Sequence, residues 1–356
     1  MLKTVTLGGL ELPNNLWMSP LCGVTDIPFR ALVHEQGAGL VHTQMVSCAA
    51  LARGGAGARE RTAEIMALSD DEGPVGIQLF GSDLAEMAES ARLVEAQGAD
   101  LVSLNFGCPV PKVVKHNGGS SLLREPPLVQ AITAAVVLAT RLPVVPKIRI
   151  GWDSASVNAV EIASRLEQAG ASALVVHGRT RAQGYTGRAD WDCIAKVKRA
   201  VRIPVIGNGD LFTPQDIELQ MRQSGVDGVM LGRGAMGNPW LFQRALSLLD
   251  GGVDPGSPSA EARVAMLRRH VGHAYARRGK PALAEMRKHA MWYTKGLPGS
   301  AEQRARINRT LEIEEVLGIL DEYLVWLREH PEAEVHDREA SFAAPSDPDC
   351  ACEEAV

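Results

Sequence analysis

A single thiol, Cys108, stands in Asn105-Phe106-Gly107-Cys108-Pro109, and nine residues after it comes Asn117-Gly118-Gly119-Ser120-Ser121-Leu122-Leu123. The apolar run Leu101 to Leu104 reads as a short buried strand, and Gly107 and Pro109 constrain the backbone on either side of the sulfur. Cys108 is therefore expected in a loop at a strand's carboxyl end, where a thiol can act as an acid or a nucleophile. A lone cysteine is more often small packing material, so its neighbours decide between the two.

Several polar residues have the same character of sitting at or within apolar runs. Gln78 ends one run, Lys147 and Arg149 lie inside Val144-Val145-Pro146-Lys147-Ile148-Arg149-Ile150, and His177 closes another. A charge embedded in a buried strand needs a partner, either a buried counter-ion or a ligand with electron-rich oxygens. Two glycine loops, Gly207-Asn208-Gly209-Asp210 and Leu231-Gly232-Arg233-Gly234, would let backbone N–H groups approach an anion, with Arg233 as a planar donor. A phosphate-bearing ligand is expected there; two tight turns with a solvated arginine are the alternative. Ser19-Pro20-Leu21-Cys22-Gly23-Val24-Thr25-Asp26 makes a rigid loop that could wall a flat ring.

These residues need a scaffold that brings strand ends together. Eight apolar runs recur through the first 250 residues: Leu16 to Ser19, Leu40 to Met45, Val75 to Leu79, Leu101 to Leu104, Val144 to Ile150, Ala173 to His177, Pro204 to Gly207 and Gly228 to Leu231. Amphipathic segments separate them, such as Asp83 to Gly98 and Asn158 to Gly170, each closing on glycine. The pattern predicts an α/β protein, a closed (β/α)8 TIM barrel over residues 1–250, with an open doubly wound sheet as the alternative. Gly251 to Pro258 reads as a linker, residues 259–330 as a small all-helical domain, and residues 331–356 as an acidic disordered tail.

Hydrophobic residues make up 46% and charged residues 22% of the 356, a composition ordinary for a water-soluble globular chain. No apolar run reaches the roughly 18 residues of a membrane span, and the amino terminus lacks the basic start and apolar core of a signal peptide, so a cytoplasmic protein is expected. Six scattered cysteines with no C-x-x-C pair suggest neither a disulfide framework nor a zinc site, and acid-rich cation loops are missing; any redox cofactor is expected to be organic. The net charge of −5 is uneven: residues 261–309 hold twelve Lys or Arg against three Asp or Glu. A basic module of this kind suits a polyanion.

Together these motifs resemble the tRNA-dihydrouridine synthases over residues 14–320. The carriers are Ser19 to Asp26, Gln78-Leu79-Phe80-Gly81, Asn105 to Pro109 with Gly118-Gly119-Ser120-Ser121-Leu122, Lys147-Ile148-Arg149, His177-Gly178-Arg179-Thr180-Arg181, Gly207 to Asp210 and Gly232-Arg233-Gly234. With Arg287-Lys288-His289 the pattern is similar to the bacterial B-type branch. The resemblance implies an FMN-binding barrel with a helical tRNA-binding domain behind it, reducing the C5–C6 bond of specific uridines in tRNA with NADPH or NADH. Position by position, it implies that Pro20, Leu21 and Cys22 line the flavin ring, that Gln78 and Lys147 reach its polar edge, and that His177 lies beside it. Asn208, Gly209, Asp210, Gly232 and Arg233 would hold the phosphate, and Cys108 would be the proton donor.

For the RNA it points to Asn105, Arg149, Arg179, Arg181 and Arg188 on the barrel, and to Arg268-Arg269, Arg277-Arg278, Lys280, Arg287, Lys288, His289, Lys295 and Arg304 to Arg309 in the module. No metal, membrane or obligate protein partner is expected. The family usually has Met-Ala where this chain has Leu21-Cys22, which places a second thiol near the flavin. Competing readings are a barrel flavoenzyme of free pyrimidines, like dihydroorotate or dihydropyrimidine dehydrogenases, a tRNA-folding chaperone, and a flavin-free sugar-phosphate barrel.

Overall fold

The computed structural model describes residues 1–115, 117–310 and 312–331. Leu311 and the acidic tail, with Cys350 and Cys352, lie outside the described residues.

All eight apolar runs are strands. After a hairpin of β1 (Val5–Leu7) and β2 (Leu10–Leu12) come β3 (Leu16–Met18), β4 (Val41–Ser47), β5 (Val75–Phe80), β6 (Leu101–Phe106), β7 (Val144–Arg149), β8 (Leu174–His177), β9 (Val205–Asn208) and β10 (Gly228–Leu231). The last eight are parallel, in the order β3-β10-β9-β8-β7-β6-β5-β4. The bridge between Trp17 and Leu40, with Met18 N–H donating to Leu40 O at 2.8 Å, closes the ring. A barrel, and not the open sheet, is the result.

Strand alternation divides labour between the two faces. Outward residues such as Leu16, Val75, Ile77, Val102, Leu104, Ile148 and Val229 form the core beneath the helices. Inward residues change with height. At the lower end Trp17, Leu101, Val145, Val175, Ile206 and Met230 pack together, and Val5, Leu7 and Leu12 of the hairpin plug them from below. Two residues further up the same strands the inward positions are Ser103, Lys147, His177 and Asn208, so a dry floor supports a polar rim.

The hairpin is absent from the sequence reading, which took the first nine residues only as an argument against a signal peptide. Its turn uses Gly8 and Gly9 at φ 53° and 98°, a conformation that favours glycine.

Four helices follow the barrel, Ala260–Arg278, Lys280–Thr294, Ser300–Arg309 and Ile313–Glu329, around a core that includes Leu267, Met286, Tyr293 and Leu320. Barrel residue Leu32 belongs to that core, and Trp292 of the module belongs to the barrel's. The linker is anchored: Arg244 pairs with Asp254 at 2.8 Å, and that guanidinium draws the Asp254 carboxyl down to about 2. Among the described residues no helix is long and apolar enough to cross a membrane.

Candidate active site

The carboxyl ends of the strands surround a cleft of about 880 Å³, its open mouth included. The cleft gathers Pro20, Leu21, Cys22, Gln78, Asn105, Cys108, Lys147, Arg149, His177, Asn208, Gly209, Asp210, Gly232 and Arg233. Every residue expected at the cofactor or the catalytic centre therefore shares one space, as strand-end placement in a barrel dictates.

Cys108 lies two residues past β6 in a loop held from both sides. Asn105 Oδ1 accepts from Gly107 N–H at 3.0 Å and Cys108 N–H at 2.9 Å, and Cys108 O accepts from Ser120 N–H and Oγ–H. Gly119 must be glycine: it has φ 58°, and a Cβ there would lie 2.7 Å from Cys108 O. Asn105, expected at the substrate, thus shapes the thiol's loop; its Nδ2–H donates to Gln78 Oε1 at 3.2 Å. Cys22 and Cys108 share a small apolar cluster with Met45, Val110, Val113 and Phe80, and neither is in a disulfide. Cys48, by contrast, is fully buried, and burial pushes its thiol up to about 12.

Across the cleft, Lys147 Nζ donates to Asn208 Oδ1 at 3.1 Å, and Asn208 Nδ2–H donates to Met230 O at 2.7 Å. Arg149 is buried, donating to Gly107 O, Thr180 O and Gly184 O, so it ties the Cys108 loop to the loop after β8. His177 pairs in register between Arg149 and Asn208. Burial, then the charges of Arg149, Lys147, Arg179 and Arg233, hold its imidazole well below the usual range. It is neutral at pH 7, able to offer a hydrogen bond but not a charge.

The phosphate end differs from expectation in two respects. Gly207 lies within β9 and serves Trp191, whose ring a Cβ would meet at 2.3 Å; it does not contribute to an anion loop. The Asp210 carboxylate is consumed by Arg179 at 2.8 Å, Arg233 at 3.0 Å and Ala189 N–H at 2.8 Å, so it orients Arg233 and cannot itself attract an anion. Arg233 remains at the cleft, its guanidinium 4.9 Å from the Tyr185 ring and 5.4 Å from that of Phe212.

Three expectations for RNA contact need correction. Arg179 is 2% exposed, donating to Asp210, Thr186 O and Gly187 O, and is a buried tie between loops. His289 is 1% exposed, its ring 4.4 Å from that of His270 and 5.7 Å from that of Phe29, in the seam between barrel and module. Burial, then His270, holds it well below the ordinary imidazole range, so it carries no charge to a phosphate. Five of the module's twelve basic residues are paired: Arg268 with Asp321, Arg269 with Glu35, Arg278 with Glu64 and Glu285, Lys280 with Glu312, and Arg306 with Glu322. Several of those carboxylates belong to residues 312–329, just beyond the window in which the charge excess was counted. Arg277 and Arg309 are exposed, Arg287 donates to Thr310 O, Lys288 is half-buried, and Arg181 lies over Trp152.

Sequence reasoning missed Met45, Tyr185 and Phe212 in the cleft wall. Tyr185 is the most informative of them, since the guanidinium groups of Arg149 and Arg233 both lie within 5.5 Å of its ring. An aromatic between Gly184 and Gly187 was the available signal. Among the described residues no group of three or more His, Cys, Asp or Glu side chains is placed to hold a metal.

The fold and site define a (β/α)8 barrel with a thiol, a lysine and an arginine converging on one cleft. Two solved structures share that fold: histamine dehydrogenase from Rhizobium sp. 4-9, at 13% identity and TM-score 0.54 over 76% of this chain, and a 2-naphthoyl-CoA reductase, at 12% and 0.54 over 70%. This chain spans about half the length of each, 50% and 52%. Residues 17–325 match the family described as dihydrouridine synthase. A probable tRNA-dihydrouridine synthase 1 of Synechocystis sp. is 40% identical over 90% of this chain and 89% of its own length. The tRNA-dihydrouridine synthase B of Pseudomonas aeruginosa is 40% identical over 86% and 92%. The chain belongs to the dihydrouridine synthase family.

Proposed function

We propose that this protein is an FMN-dependent tRNA-dihydrouridine synthase that reduces the C5–C6 bond of particular uridines in tRNA with NADPH or NADH, working in the cytoplasm. The observation that carries the reading is the convergence of Cys108, Lys147, His177 and Arg233 on a single cleft in a chain of this family.

The residues present fit a flavin mononucleotide. An apolar wall of Pro20, Leu21, Cys22 and Met45 suits a flat ring, and Gln78 and Lys147 supply polar groups for its edge. Arg233 and Gly232 suit the phosphate, and a Cβ on Gly232 would meet only the Ser19 Cβ, at 3.8 Å. When bound, the flavin supplies a hydride taken from the nicotinamide cofactor.

Cys108 delivers the proton that completes reduction at C5 of the uracil. A positioned thiol can serve as a general acid. Lys147, positioned by Asn208, holds positive charge where the reduced ring and the uracil carbonyls are electron-rich. Neutral His177 offers a hydrogen bond to the uracil without competing with Cys108 as an acid. Asn105 and Arg149 act as positioning residues for the Cys108 loop, and Asp210 as one for Arg233.

Residues 1–250 act as the catalytic barrel and 259–330 as the tRNA-binding domain. A uridine in folded RNA is stacked and must leave the stack to reach the cleft, which requires a hold on the surrounding strand. Incubating the yellow holoenzyme with NADPH and a tRNA transcript should add two hydrogens to one uridine, read by mass. Reduction of free uracil or orotate with tRNA untouched would instead favour the free-pyrimidine enzyme.

A further inference from the structure

The loops that follow β6, β7 and β8 meet again outside the cleft, at Trp152. The guanidinium of Arg124, the last residue of the 3-10 turn Gly119–Arg124, lies 4.3 Å from the Trp152 ring centre, and that of Arg181 lies 4.6 Å from it. The two charges are therefore within about 9 Å of one another. Backbone bonds fix the arrangement: Arg181 N–H donates to Gly151 O and Ala182 N–H to Trp152 O, both at 2.9 Å, while the turn leading to Arg124 starts at Ser120 N–H donating to Cys108 O.

Among the described residues neither guanidinium has a carboxylate within ion-pair distance, whereas Arg30, Arg179, Arg233 and Arg244 each do. Asp153, the nearest acid in sequence to Trp152, is bonded to Ser156 and Ala155. Arg181 Nε is buried without a hydrogen-bond partner.

We propose that Arg124, Trp152 and Arg181 form a clamp for RNA phosphate on the rim of the cleft, gripping the strand beside the uridine that enters it; this rests on the tRNA reading above. Two like charges pinned on one indole repel each other, and an anion between them relieves that repulsion. Stacking on the ring holds each guanidinium flat for contact of its terminal N–H groups with phosphate oxygens. The spacing fits one phosphodiester or two successive ones of a single strand. The loops after β6 and β8 carry Cys108 and Tyr185 into the cleft, and Arg149, the last residue of β7, ties their inner ends together. RNA seated on the rim would therefore be held in fixed relation to the thiol.

The test compares wild type with Arg124→Gln/Arg181→Gln, Arg124→Lys/Arg181→Lys and Trp152→Leu, all checked for an unchanged thermal midpoint. The readouts are Kd for the tRNA transcript at several salt concentrations and KM for NADPH. The Gln pair should weaken tRNA binding by 10-fold or more and flatten the log Kd against log salt slope by about 1 for a single phosphate held by both arginines or about 2 for two successive ones. The Lys pair should restore most of the slope but less of the affinity. Trp152→Leu should keep the slope and lose affinity. An unchanged slope in the Gln pair overturns the clamp, and a raised KM for NADPH with tRNA affinity unchanged overturns it in favour of the reductant's phosphate. Failure of the tRNA reading looks different, because wild type itself would then leave tRNA uridines unreduced before any substitution is made.

Discussion

The cleft and the helical module are both rich in cations, and they use them in opposite ways. In the cleft one carboxylate, Asp210, serves two arginines, and Lys147 and Arg149 are held by neutral oxygens of Asn208, Gly107, Thr180 and Gly184. In the module five of the twelve basic residues counted from the sequence meet carboxylates on exposed surfaces. In the cleft one partly buried carboxylate is outnumbered by four cations, whereas in the module each of the paired cations has an exposed carboxylate of its own. Counting charges along a chain does not distinguish the two cases, and placement does.

The contrast can be broken at four points. The largest effect is expected at the thiols. Cys108→Ala should slow dihydrouridine formation by about 10²- to 10⁴-fold, the usual contribution of a positioned acid. Cys22→Ala, a change toward the residue usual in the family, should cost less than about 10-fold, although the two sulfurs share a cluster. The reverse ranking in single-turnover assays would transfer the acid's role to Cys22.

Next is the shared carboxylate. Asp210→Asn leaves Arg179 charged and 2% exposed without its counter-ion, and should destabilise the barrel by about 3 kcal/mol, read from the urea midpoint. A loss below about 1 kcal/mol would mean that the backbone acceptors Thr186 and Gly187 suffice for Arg179.

Third is pH. His42 is fully buried, its Nδ1 bonded to Met18 O, and burial lowers its imidazole from 6.5 to about 4. Below pH 6.5 the unfolded chain binds a proton that the native state refuses, so this stabilisation is complete above 6.5 and disappears as pH falls to 4. The loss is roughly 3 kcal/mol, and His177 and His289 act in the same sense. Equilibrium unfolding should show the slope between pH 6.5 and 4, and His42→Gln should make it shallower; an identical slope would refute the assignment.

The smallest effect belongs to the exposed pairs. Arg268→Ala should change stability by less than about 1 kcal/mol, because both partners are roughly half exposed. It should weaken tRNA binding less than the substitutions at Trp152, Arg124 and Arg181, a ranking that one set of binding curves can invert or uphold.

The strands were legible because they are short apolar runs, most of them ended within two or three residues by Gly or Pro, and the active-site residues because charge inside such a run is conspicuous. The fate of individual arginines was not legible. Arg179 and Arg181 are two residues apart, yet one is buried on Asp210 and the other lies over an indole 29 residues earlier in the chain. Those partners are set by loops that fold over one another, and no local pattern encodes them.

His289 was more accessible to reasoning. With Met286, Ala290 and Tyr293 it falls at helical spacing on the buried face of Lys280–Thr294, and that periodicity outweighed the basic Arg287-Lys288 beside it. The hairpin arms are three residues each and carry exposed Thr6 and Glu11 between their apolar positions, so they form no continuous apolar run. Gly207 was read as anion-binding because two glycines flank Asn208, but one of them only makes room for Trp191.

Reduction of a tRNA uridine in this cleft, with Cys108 as the proton donor, can be tested in one experiment. The most direct measurement is mass analysis of a tRNA transcript after incubation with NADPH and either wild-type or Cys108→Ala holoenzyme. The account predicts a gain of two hydrogens on one uridine with wild type and almost none with the variant, while both remain yellow. Equal product from the two proteins, or none from wild type that holds its flavin, would contradict it.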